Sequence, residues 1–200
     1  MFLSIDGGDG TGKSTQIALL AEFLRQEGRN VVVCRDPGST SLGEAVRELL
    51  LARTDLRIDR RAEMLLYMAA RAQLTEEVIR PALGQQAIVI CDRYLLANVV
   101  YQGHAGGLDV EQLWEVGRIA TSGLQPDLTI VLDMPAAAAA ARLQRQLDRM
   151  EQQGDAFHAR VREGFLLEAA KAPQRIVVID ASPPIDQVQA AIRQAVADRS

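Results

Sequence analysis

The chain has 200 residues and a mass of 21.8 kDa, enough for one compact domain with a sizeable core. Hydrophobic residues make up 48% and charged residues 24%, the balance of an ordinary globular protein, and no apolar run approaches a membrane span. A net charge of -4 and a pI near 5.3 argue against broad nucleic-acid or membrane-surface binding, while leaving room for a local basic pocket.

In chain order, five short apolar runs alternate with longer helical patterns. Met1 to Ile5 (MFLSI) opens as a strand rather than as a secretory leader, which predicts a cytoplasmic protein. Gly7 to Ser14 (GGDGTGKS) follows, matching G-x-x-x-x-G-K-[ST]. Next comes an amphipathic helix with Ile17, Leu20, Phe23 and Leu24 on one face and Gly28 as its stop. Val31 to Cys34, Ala87 to Cys91, Leu128 to Leu132 and Arg175 to Ile179 supply four further strands. Such uniformly apolar runs suit strands buried on both faces of a parallel sheet. Pro135 to Met150 is alanine-rich behind a proline and reads as a helix. The alternation predicts right-handed crossovers and a doubly wound α/β sheet. Cys34 and Cys91 lack metal-ligand spacing and are expected as reduced thiols.

The strand, glycine-rich loop and helix at the start form the setting that turns the motif into a P-loop. Its glycines let successive N–H groups close around phosphate oxygens, and the helix N-terminus adds its positive end. The expected ATP set is Gly7, Gly8, Asp9, Gly10, Thr11, Gly12, Lys13, Ser14 and Thr15. Lys13 is the cation for the β and γ phosphates, and Ser14 offers a hydroxyl to Mg2+. Four strand ends carry an aspartate: Asp6, Asp92, Asp133 and Asp180. Asp92, followed at once by Arg93 and Tyr94, is chosen to face the P-loop and hold Mg2+ through water. Asp133 and Asp180 are read as capping or turn residues, and His104 and His158 as incidental. Trp114 is expected in the core or at a subunit interface.

The P-loop together with RDPGST (Arg35 to Thr40), LLYMAARAQ (Leu65 to Gln73), DRYLLANVVYQG (Asp92 to Gly103) and DRMEQQGDAFHARVREGF (Asp148 to Phe165) resembles the bacterial thymidylate kinases, from Phe2 to about Ala181. The resemblance implies a P-loop kinase fold over residues 1–200, with a five-stranded parallel sheet, helices on both faces and a short helical lid at about 136–155. It implies transfer of the γ-phosphoryl group of ATP to dTMP with Mg2+, and a homodimer. It also implies that the strands carrying Cys34 and Cys91 are neighbours. By the same resemblance Asp9 lies near the nucleotide 3′-hydroxyl, and Arg35, Asp36 and Pro37 line the dTMP site. Tyr67 stacks on thymine, Arg71 bonds the thymine carbonyl, Arg93 takes the dTMP phosphate, and Asn98, Tyr101 and Gln102 contact base and sugar. Tyr67 and Arg71 are four residues apart and share a helical face.

Four positions depart from the family pattern: Asp36 for glutamate, Ser39 for glycine, Ala70 for aspartate and Ala97 for serine. Some members also carry an arginine in the P-loop where this chain has Gly10. The expected substitutes are Arg145 and Arg149, closing over the phosphates from the lid, with Arg142 nearer the adenine. A related kinase with another small acceptor is the nearest rival reading. A GTPase is disfavoured because the chain has no N-K-x-D.

Overall fold

The computed structural model describes residues 1–51, 56–142 and 149–199. Five strands, β1 (Phe2–Gly7), β2 (Val31–Arg35), β3 (Ile88–Asp92), β4 (Leu128–Asp133) and β5 (Ile176–Asp180), form one sheet in the order β2-β3-β1-β4-β5. Every pairing is parallel. Parallel neighbours need long crossovers, and helices supply them: α1 (Lys13–Gln26), α2 (Ser41–Leu51), α3 (Arg60–Leu74), α4 (Arg80–Gly84), α5 (Leu95–Asn98), α6 (Val110–Ala120), α7 (Ala136–Ala141), α8 (Asp155–Lys171) and α9 (Ile185–Ala197).

Both faces of the sheet are covered, which is why the strands read as continuous apolar runs. Leu3 and Ile5 of β1 point toward Ile17, Leu20 and Leu24 of α1 and Val188 and Ile192 of α9. Phe2 points the other way, into a second core with Val89, Cys91, Tyr94 and Leu113. Burying each such side chain stabilises the fold by roughly 2 kcal/mol. Register places Cys34 directly beside Cys91, and both are buried free thiols. Burial, then the hydrogen bond with Cys34, push the Cys91 thiol well up.

Two departures from the sequence reading concern helices. The described part of the alanine-rich helix ends at Ala141, and Arg149 and Met150 lie in a turn. Two wide π-helical turns, Thr75–Ile79 and Val99–His104, were not expected. The second carries Tyr101 and Gln102.

Candidate active site

A cleft of about 960 Å3 runs along the carboxyl ends of the strands. The P-loop leaves β1 and enters α1, with Gly12 in a left-handed conformation at the helix start. The Lys13 ammonium donates to the carbonyls of Gly8 (2.7 Å) and Gly7 (3.3 Å). Burial and repulsion by Arg93 bring its pKa down to about 8, although Asp9, Asp92 and Asp6 pull the other way. The Ser14 hydroxyl points at Asp92 Oδ2, 3.5 Å away. Thr11 ties the loop to itself through the Gly8 carbonyl at 2.9 Å.

Gly10 is not an open position in the loop. Its φ is +82°, and a Cβ there would lie 2.1 Å from the Ala139 carbonyl oxygen. The backbone of α7 therefore occupies the space that a side chain at position 10 would need. This structure has no room for the arginine found there in some related chains.

At the centre of the cleft Arg93, with φ of +67°, joins three groups. Its guanidinium donates to the Gly7 carbonyl (2.9 Å), to Asp9 Oδ1 (2.5 Å) and to the Tyr101 hydroxyl (3.2 Å). Tyr101 in turn donates to Asp9 Oδ2 at 2.8 Å. Burial pushes the Asp9 carboxyl up, but Arg93, Lys13 and the Tyr101 hydrogen bond outweigh it and hold the pKa at about 2. Asp6, beneath the loop, is pushed up to about 6 by burial despite the Ser4 hydrogen bond and the nearby cations. A left-handed arginine is a strained backbone state, and this triad holds it.

The far end of the cleft is built from side chains on four segments. Arg71, 1% exposed, donates to Asp36 Oδ2 at 2.5 Å and to Asn98 Oδ1 at 3.0 Å. Asn98 donates to Gln102, and Gln102 donates to Glu63. Tyr67 is half-buried: it lines the cleft and also packs against the apolar cluster of Val46, Leu50 and Ala70. Asp36 precedes a cis proline, Pro37. One methylene shorter than glutamate, it still reaches Arg71, and burial raises its pKa despite that cation. Ala70 packs in an apolar cluster with Val46 and Leu50, and Ala97 lines the cleft wall. Arg35 borders the cleft but pairs with Glu44 of α2 at 2.7 Å.

The lid arginines divide. Arg142 lines the cleft and donates to the Ala181 carbonyl at 3.2 Å, beside Pro183 and Ile185. Arg145 lies outside the described residues. Arg149 corrects its expectation: it bonds the Leu50 carbonyl at 2.7 Å and pairs with Glu63, so its guanidinium is held on α2 and α3 and not over the P-loop. Asp133 is likewise no cap, since Arg162 of α8 grips both its oxygens at 2.8 Å. Asp180 does close a turn, accepting from the Ser182 N–H. His104 has a partner that its sequence neighbourhood does not reveal, the buried Glu168 at 2.8 Å, which also accepts from Trp114.

Sequence reasoning missed Glu63 and Arg47. Arg47 lines the cleft and donates to the Pro37 carbonyl, yet in its helix it reads as a solvated charge. Glu63 was findable, because Glu63, Tyr67 and Arg71 recur every four residues along one stripe of α3.

Comparison with known proteins agrees with this geometry. The thymidylate kinase family model matches residues 5–192. The thymidylate kinase of Rhodopirellula baltica is 50% identical over 186 residues, covering 93% of this chain and 76% of that protein. That of an Exiguobacterium species is 46% identical over 191 residues, 94% of this chain and 90% of the relative. The crystal structure of thymidylate kinase from Ehrlichia chaffeensis superposes with a TM-score of 0.81 at 34% identity over 98% of each chain. With a family model matching residues 5–192 and relatives up to 50% identical over nearly the whole chain, this chain belongs to the thymidylate kinase family.

Proposed function

We propose that the cleft divides into a donor half at the P-loop and an acceptor half at Tyr67, Arg71 and Asn98, with Arg93 between them. The reaction is transfer of the γ-phosphoryl group from ATP to the 5′-phosphate of dTMP, giving ADP and dTDP. One P–O bond to the β-phosphate breaks and one to the acceptor oxygen forms. The observation that carries the division is one cleft lined by Lys13, Arg93 and Arg71, in which Arg93 bonds both the P-loop, at Gly7 and Asp9, and Tyr101.

The chemistry asks mainly for position and positive charge. Lys13, released from the Gly7 and Gly8 carbonyls, follows the β and γ phosphates. Arg93 faces the acceptor phosphate, while Asp9 and Tyr101 fix its fork and leave Asp9 near the sugar. Tyr67 offers a ring face to the base. Arg71 can donate only, which suits a carbonyl oxygen. Arg142 flanks the adenine with the Ala181–Ile185 segment.

The Ser14 hydroxyl and the Asp92 carboxylate suit Mg2+, which takes few protein ligands and keeps waters and phosphate oxygens for the rest. Bound there, Mg2+ would neutralise charge on the phosphates.

We further assign a homodimer in the cytoplasm. Exposed Leu65 on α3 and Ile119 on α6 support an apolar association face, because α3 and α6 pack side by side. No described helix is long and apolar enough to cross a membrane. The test of the reaction is an acceptor screen with MgATP over dTMP, dUMP, dCMP, dGMP and dAMP. Preference for dTMP, then dUMP, is expected, and faster turnover of any other nucleotide would refute the acceptor assignment.

A further inference from the structure

A directed chain of buried hydrogen bonds leaves the acceptor pocket and ends on a carboxylate outside it. Arg71 donates to Asn98 Oδ1 (3.0 Å), Asn98 Nδ2 to Gln102 Oε1 (2.7 Å), and Gln102 Nε2 to Glu63 Oε1 (2.8 Å). Arg149 closes on the remaining oxygen of Glu63. Asn98 and Gln102 are each 3% exposed and Glu63 6%, so water does not compete freely for these atoms.

An amide side chain can face either way, since its oxygen and nitrogen differ little in size. Here the direction is set from the ends. Arg71 can only donate, and an ionised glutamate can only accept. Every link between them must then run toward Glu63. The consequence at the pocket is that Asn98 shows its carbonyl oxygen, not its amino group, beside the Arg71 guanidinium. An acceptor next to a donor matches the N3–H and O4 edge of thymine or uracil. Cytosine carries the reverse pair, an N3 acceptor and a 4-amino donor.

The geometry points to Glu63 as a positioning residue that sets base specificity through Gln102 and Asn98, without touching the substrate. This rests on the reading that the base lies against Arg71 and Asn98. Glu63 is suited to the role because both its oxygens face donors, Gln102 on one side and Arg149 on the other. A glutamine there has one acceptor for two donors. Either Arg149 or Gln102 must then meet an NH2 group. When Gln102 turns, its Nε2 faces Asn98 Nδ2, Asn98 turns in response, and the pocket loses its oriented acceptor. Inverting a buried hydrogen-bond pair costs far more in selectivity than removing a methyl contact.

The experiment compares kcat/KM for dUMP and dCMP, which lack the 5-methyl group and differ only along the N3 and C4 edge. Glu63→Gln is expected to reduce the dUMP-to-dCMP ratio by about tenfold or more. The exchanged pair Glu63→Gln with Gln102→Glu again gives every donor an acceptor. Its amide oxygen serves Arg149, its amide nitrogen serves the new carboxylate, and that carboxylate still accepts from Asn98. This double variant is expected to restore the ratio to within about threefold, which a merely structural role for Glu63 would not produce. Gln102→Leu cuts the same link and serves if the single glutamate variant does not fold; the ratio should fall there too. An unchanged ratio in a folded Glu63→Gln or Gln102→Leu protein, or no recovery in the exchanged pair, overturns the inference. Arg71→Met separates this from failure of the underlying reading. If that change leaves the KM for dTMP untouched, the base does not lie here at all.

Discussion

The two halves of the cleft are built on different principles. The proposed donor half is local: residues 7–14 are contiguous, and its binding groups are backbone N–H groups of one loop and one helix start. The acceptor half is assembled from Asp36 after β2, Arg71 in α3, Asn98 in α5 and Gln102 in a π-helical turn. A local site depends on few packing contacts and tolerates surrounding change. An assembled site fails as a unit, because each buried polar group needs its neighbour.

The sharpest way to separate the halves is to remove the charge from each. Lys13→Ala takes a cation from the transferring phosphates and should lower kcat by at least about a hundredfold. Its melting temperature should stay near the parent value, because among the described residues the Lys13 head group bonds only the Gly7 and Gly8 carbonyls of its own loop. Turnover within about tenfold of the parent in a folded protein would show that Lys13 does not serve the phosphates.

Asp36→Ala should do the reverse and act first on stability. It leaves Arg71 buried without its anion, a change that costs about 3–5 kcal/mol. Urea unfolding measures this directly, and the KM for dTMP should rise as Arg71 loses its orientation. A loss below about 1 kcal/mol would mean that Asn98 alone suffices for Arg71 and that the acceptor half is less coupled than its hydrogen bonds imply.

The same contrast explains what was legible in the sequence. The P-loop, the five strands and the aspartates at their ends are local signals, so strand ends fell within about two residues of those expected. Tyr67, Arg71, Asn98 and Gln102 were named only through resemblance. No periodicity joins Gln102 to Glu63, 39 positions apart. Arg149 was misplaced for a related reason. Helical spacing put it on one face with Arg142, but the chain has left the helix by Arg149, and the Leu50 carbonyl and Glu63 capture it. The four-residue stripe could place Glu63 on the face of Tyr67 and Arg71, but not reveal its burial against Gln102, because glutamate ordinarily lies at the surface.

Gly10→Ala probes where the donor half stops being local. The added Cβ meets the Ala139 carbonyl and a positive φ together, so either the loop or α7 must move. Strain of this kind costs on the order of 1–3 kcal/mol. A rise of about tenfold in the KM for ATP with a lowered melting temperature is expected. Parent-like values for both would show that α7 does not hold the loop.

The smallest effect is a fraction of a proton, and it reads the donor half without changing a residue. Free Lys13 has its pKa lowered to about 8 by burial and by Arg93. Phosphate groups favour the charged ammonium and raise that pKa in the complex. The bound state therefore carries more protons than the free state as pH passes through 8, so ATP affinity falls as pH rises across that window and is insensitive to Lys13 at pH 6.5. Calorimetric ATP titrations at pH 8 in two buffers of different ionisation enthalpy should show uptake of about half a proton. Asp9 and Arg93, where the two halves meet, offer no such signal near this pH: Asp9 sits at about 2, and Arg93 is held well above its ordinary value, burial opposing and Tyr101, Asp9 and Asp92 prevailing. Lys13→Arg keeps the cation but removes its titration, because a guanidinium stays protonated throughout. Uptake should vanish in that variant even where ATP still binds. Equal uptake in both proteins would place the titrating group elsewhere and remove the argument that the P-loop partly discharges its own lysine before the nucleotide arrives.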